Sequence, residues 1–110
     1  MNKKPKKSPY SWPFSYYRQT WIAEADKLVD EACDAVEGIP ENYITPKTCR
    51  TLRRSAKKFC KAADLYKNAG LGYLAAESWR SAAGLYGRIG DRNLRDHVLE
   101  LADNVENQDV

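Results

Sequence analysis

Proton-transfer chemistry usually recruits a histidine or a matched pair of carboxylates. This chain of 110 residues has one histidine, His97, in the stretch Arg92-Asn93-Leu94-Arg95-Asp96-His97. On a helix, positions 92 and 97 stand about 140° apart, so they share a face poorly. The plain reading is a helix start with a solvent-facing histidine. Cys33, Cys49 and Cys60 are the remaining candidates for reactive or ligating chemistry. Cys49 and Cys60 on one helix would be roughly 16 Å apart, beyond the about 7 Å Cα separation a disulfide allows. Neither CxxC nor HExxH occurs. The cysteines therefore read as small buried hydrophobes in a reducing, cytoplasmic setting. No metal site and no cofactor is expected. Serine-hydrolase, phosphate-loop and metal-hydrolase patterns are likewise missing from the sequence.

Charge is the more informative chemistry. The formal net charge is only +3, yet it is strongly segregated along the chain. Lys3, Lys4, Lys6 and Lys7 make the first residues basic. Between positions 46 and 69, Lys47, Arg50, Arg53, Arg54, Lys57, Lys58, Lys61 and Lys67 oppose Asp64 alone, eight bases to one acid. The flanking stretches 15–37 and 91–110 each carry six acids against two bases. Lys47, Arg50, Arg54, Lys57 or Lys58, and Lys61 recur at helical spacing. That strip is either a solvated face, partly neutralised by acidic neighbours, or a docking surface for an acidic protein segment or a nucleic-acid backbone. Tyr10 and Trp12 interleave with the first lysines and offer rings on which unpaired bases stack.

These residues must be positioned by helices. Residues 1–14, with three prolines and four lysines, read as a basic tail. A single helical domain is expected over 15–106, with 107–110 frayed. The first helix spans about Ser15 to Glu37, its apolar stripe Tyr17, Trp21, Ala25, Leu28, Val29, Ala32 and Val36, with Gly38 at its end. Thr45-Pro46 signals a second start, as N-cap followed by proline in the first turn. The second helix then runs to about Ala69. The third covers about Leu71 to Ile89, and Asp91 caps a fourth that carries Leu94, Val98, Leu101, Ala102 and Val105 inward. No segment alternates at period two. The spacing predicts an all-α fold, a four-helix antiparallel hairpin array or small bundle. No stretch is apolar enough to span a bilayer, and none reads as a secretion signal.

An internal echo is the most specific pattern. At an offset of 20, KKFCKAADLYKNAG (Lys57 to Gly70) aligns with ESWRSAAGLYGRIG (Glu77 to Gly90). Phe59 falls on Trp79, Ala62-Ala63 on Ala82-Ala83, Leu65-Tyr66 on Leu85-Tyr86, and Gly70 on Gly90. Paired alanines let a neighbouring helix approach closely, and the ring three residues earlier fills the space beside them. Over about Arg53 to Asp91 the chain resembles α-helical hairpin repeats of the tetratricopeptide and soluble-NSF-attachment-protein (SNAP) type. It lacks the W-x₂-L-G-x₂-Y opening of a full tetratricopeptide repeat. The resemblance implies a protein-binding scaffold. Separately, Arg92-Asn-x₃-His97 resembles the short signature of the HEPN ribonucleases. That likeness implies that Arg92 would steady phosphate charge while His97 acts on a 2′-hydroxyl.

Taken together, the sequence points to a non-catalytic adaptor that binds a protein partner with an acidic surface through the basic second helix. Nucleic-acid binding through the same strip and the tail is the alternative, and a nuclease is the lesser one. Repeat arrays expose ends that need covering, so self-association or incorporation into a larger assembly is also expected.

Overall fold

The computed structural model describes residues 12–108 of the chain, with side chains from Tyr17 onward. Four helices follow one another: α1 (Trp12–Val36), α2 (Pro46–Asn68), α3 (Gly72–Arg88) and α4 (Arg92–Gln108). Among the described residues there is no strand. The all-α expectation holds.

Each start and stop has a local cause. α2 opens with a capping box: Thr45 Oγ1 accepts from the Thr48 amide at 3.1 Å, and Thr48 Oγ1 accepts from the Thr45 amide at 2.8 Å. Pro46 follows, where its missing N–H costs nothing. α2 and α3 end alike. The Leu71 amide donates to the Tyr66 carbonyl and the Asp91 amide to the Tyr86 carbonyl, both at 2.9 Å. Gly70 and Gly90 adopt φ of 82° and 80° in these Schellman turns. Asp91 caps α4 by accepting from the Leu94 amide at 3.2 Å.

Two boundaries differ from the sequence reading. α1 begins at Trp12 rather than Ser15, because Pro13 then lies in the first turn, where a helix tolerates proline. α4 is helical to Gln108, two residues past the expected end of the domain at 106.

The helices pack serially, each against its neighbour in the chain. Pairings between α1 and α2 run in opposite directions: Arg18 meets Ala69, Asp26 meets Tyr66, and Glu31 meets Lys58. α3 and α4 do the same, with Arg80 on Glu106 and Gly87 beside Arg95. Ala56, Ala62, Ala63, Ala75, Ala76, Ala82 and Ala83 are buried along the seams. Phe59, Tyr66, Trp79, Leu85 and Tyr86 are buried with them, while Tyr17 and Trp21 are half-buried, as the spacing predicts. The twenty-residue echo thus lies on two consecutive rods with its rings inward.

Two inward assignments fail. Cys33 is exposed, and Cys49 and Cys60 are half-buried. Cys33 is one position past Ala32, whose methyl faces the core; a step of 100° turns the thiol toward the edge of α1. Leu94 is 38% exposed, because Arg95, not Leu94, packs against the side-chain-free Gly87 of α3.

Candidate docking surface

The basic strip is laid out by the register of α2. Its core side is fixed by Leu52, Ser55, Ala56, Phe59, Ala62, Ala63 and Tyr66, which are buried. Lys47, Arg50, Arg54, Lys57 and Lys61 recur at steps of three and four on the opposite side and are exposed. At 1.5 Å per residue they form a line about 21 Å long. None of the five makes an ion pair among the described residues.

The other two predicted contacts are not free. Lys58 Nζ reaches Glu31 of α1 at 3.2 Å. Arg53 Nη1 reaches Asp91 at 3.3 Å, tying α2 to the cap of α4. Acidic neighbours therefore neutralise the edges of the strip and leave its centre positive.

Arg50, Arg53, Arg54 and Lys57 surround a surface depression of about 370 Å³. A second depression, of about 420 Å³, continues from Arg53 over Gly90, Asp91, Arg92 and Asn93. The two share Arg53, so the basic surface extends from α2 onto the first turn of α4. Arg92 belongs to this surface, a role its position in the sequence does not reveal. The packing of α3 against α2 brings the end of α3, and Arg92 just beyond it, beside Arg53.

Holding this strip together costs stability. Lys47–Arg50, Arg50–Arg54, Arg54–Lys57 and Lys57–Lys61 are like-charge neighbours on one helix face. At about 0.2–0.5 kcal/mol for each such pair, the penalty is about 1–2 kcal/mol at low salt. A bound anion would relieve it.

The candidate catalytic pair is not assembled. Arg92 and His97 are both exposed on α4, which is helical from Arg92 onward. The 140° between them is therefore kept, and the depression that Arg92 lines does not include His97. Among the described residues, no three His, Cys, Asp or Glu side chains are grouped to hold a metal. No described helix is long and apolar enough to cross a membrane. Lys3, Lys4, Lys6, Lys7 and Tyr10 lie outside the described residues, and Trp12 begins α1.

Compared with protein-family models, with curated proteins and with solved structures, the chain matches none.

Proposed function

We propose that this chain is a non-catalytic helical scaffold, of the hairpin-repeat kind that its Arg53–Asp91 stretch resembles, and that it docks an acidic protein segment along the outer face of α2. One observation carries the reading: five exposed cations stand in line with no ion pair among the described residues, although the same chain pairs the cations on either side of them. A solvated face needs no such concentration of like charge. An acidic helix laid along α2 would meet it with carboxylates at the same three- and four-residue steps. The arginines at the centre add planar, two-pronged hydrogen bonding to carboxylates.

The test is affinity capture from the native host with and without nuclease, followed by Arg50→Glu, Arg54→Glu and Lys57→Glu together. A protein partner should survive nuclease and be lost from the triple variant. Capture that nuclease abolishes would move the function to nucleic acid, which arginines also grip through phosphates. A protein partner retained at full strength by the triple variant would reject the strip.

A further inference from the structure

The face of the array away from the basic strip carries a second feature. A channel of about 140 Å³ runs between α1 and α3, with Phe59 and Tyr66 of α2 as its floor. Val29 and Leu74 supply apolar walls, and Cys33, Ser78 and Ser81 complete the lining with small side chains. That volume is close to the ~150 Å³ of a cavity that takes up a benzene ring, enough for one medium-sized apolar side chain.

The rim of the channel is acidic. Asp26, Asp30 and Asp34 stand exposed along α1, and Glu77 lines the α3 side. Asp26 accepts a hydrogen bond from the Tyr66 hydroxyl on the floor. Arg80, the neighbouring cation on α3, is held by Glu106 at 2.7 Å and Asp103 at 3.4 Å, so it does not offset the rim. Burial and that field together act on the thiol and phenols here. Burial, then Asp30 and Asp34, raise the proton affinity of Cys33. Burial, the hydrogen bond to Asp26 and the charges of Asp26 and Asp30 do the same for Tyr66. Glu77 does so for Tyr73 beside the channel.

We infer that this channel is a second docking site, and that its occupant is a basic amphipathic helix that inserts an apolar side chain between Val29 and Leu74 while its cations meet the α1 and α3 carboxylates. The charge is opposite to that of the α2 strip. One chain therefore offers an acidic partner one face and a basic partner the other. This site stands on residues separate from the strip, so either can fail alone.

The probe is a synthetic amidated helix with leucines along one side and lysines on the rest, titrated into the full chain. Its counterpart with glutamate in place of lysine is the control. The lysine peptide should bind and shift the backbone amide resonances of Val29, Leu74, Ser78 and Ser81, whereas the glutamate peptide, which the α2 strip can take up, should leave these α1 and α3 amides unmoved. Asp30→Lys with Glu77→Lys should weaken the lysine peptide about tenfold or more, because two rim carboxylates become cations. Cys33→Arg, at an exposed position lining the channel, should block it. Triple replacement on α2 (Arg50, Arg54 and Lys57 to Glu) should leave the affinity for the lysine peptide unreduced. Equal shifts of these channel amides by both peptides, or full affinity of the lysine peptide for the Cys33→Arg chain, would overturn the proposal. So would a concentration-dependent dimer of the chain alone that Cys33→Arg dissociates, since a second copy would then be the occupant.

Discussion

Arg53 of α2 and Asp91 at the start of α4 lie 3.3 Å apart, and the second oxygen of Asp91 accepts from the Leu94 amide. One carboxylate therefore ends the basic strip and begins the last helix. Asp91→Asn keeps a capping oxygen but removes the charge. Because an exposed ion pair contributes only about 0–1 kcal/mol, its unfolding midpoint should stay near that of the parent. Asp91→Ala should lose about 1 kcal/mol with the cap. Both free Arg53, and both should bind an acidic peptide more tightly than the parent. Denaturant unfolding and peptide titration on the same preparations check this. Unchanged affinity in both variants would separate Arg53 from the docking surface.

The glycines divide by backbone, not by crowding. An added methyl would meet nothing within 4 Å at Gly70, Gly84 or Gly90. Gly70 and Gly90 nevertheless have positive φ, where a side chain costs about 1–2 kcal/mol. Gly84 is in the middle of α3. Gly70→Ala and Gly90→Ala should each lower stability by about that amount, whereas Gly84→Ala should raise it by about 0.5–1 kcal/mol. Thermal or denaturant unfolding of the three variants decides it, and a stabilised Gly70→Ala would contradict the turn geometry.

Trp79 is 3% exposed at the seam that the paired alanines narrow. Trp79→Ala should cost about 3–5 kcal/mol, because closely packed helices cannot collapse into the space. Tyr73, on the same helix and 64% exposed, provides the control: Tyr73→Ala should change stability by less than about 0.5 kcal/mol. Similar losses from both would mean that the ring of Trp79 does not sit in the core.

Thiol reactivity should follow environment. Burial, with Asp64 adding to it, pushes the Cys60 thiol up to about 11, so roughly one molecule in 10⁴ carries the reactive thiolate at neutral pH. Cys33 is also raised, but it is exposed. Alkylation at pH 8 followed by peptide mass mapping should mark Cys33 well before Cys60. Cys60 should speed up as pH climbs toward 11. Equal rates at pH 8 would refute the burial.

Acid should release the tie between α3 and α4. The hydrogen bond from Arg80, with its charge, lowers the proton affinity of Glu106 below the usual carboxylate value of 4.5. A lowered folded value means the unfolded chain takes up the proton first. The contribution is therefore complete above about pH 4.5 and disappears as pH falls through the lower folded value. Arg80→Gln should unfold more readily than the parent at neutral pH and match it at the acid end. A difference that persisted below both values would have to come from packing instead.

Helix number, order and most of each inward face were legible in the sequence, because these depend on local rules. Thr45-Pro46, Gly70, Gly90 and Asp91 act within a turn of themselves, and a stripe such as Phe59, Ala63 and Tyr66 must be covered by whatever helix comes next. The basic line of α2 was legible for the same reason, since periodicity alone puts Lys47, Arg50, Arg54, Lys57 or Lys58, and Lys61 on one side; the Glu31 pair then takes Lys58 out of it. What periodicity cannot say is which charges meet. Glu31 reaching Lys58, Asp91 reaching Arg53, and Arg92 arriving beside the strip each join positions dozens of residues apart. So does the channel in which Val29 and Leu74 face each other over Phe59. Those relations depend on the angle and depth at which whole helices seat against one another. Many buried atoms set that seating together, and no local run of residues encodes it.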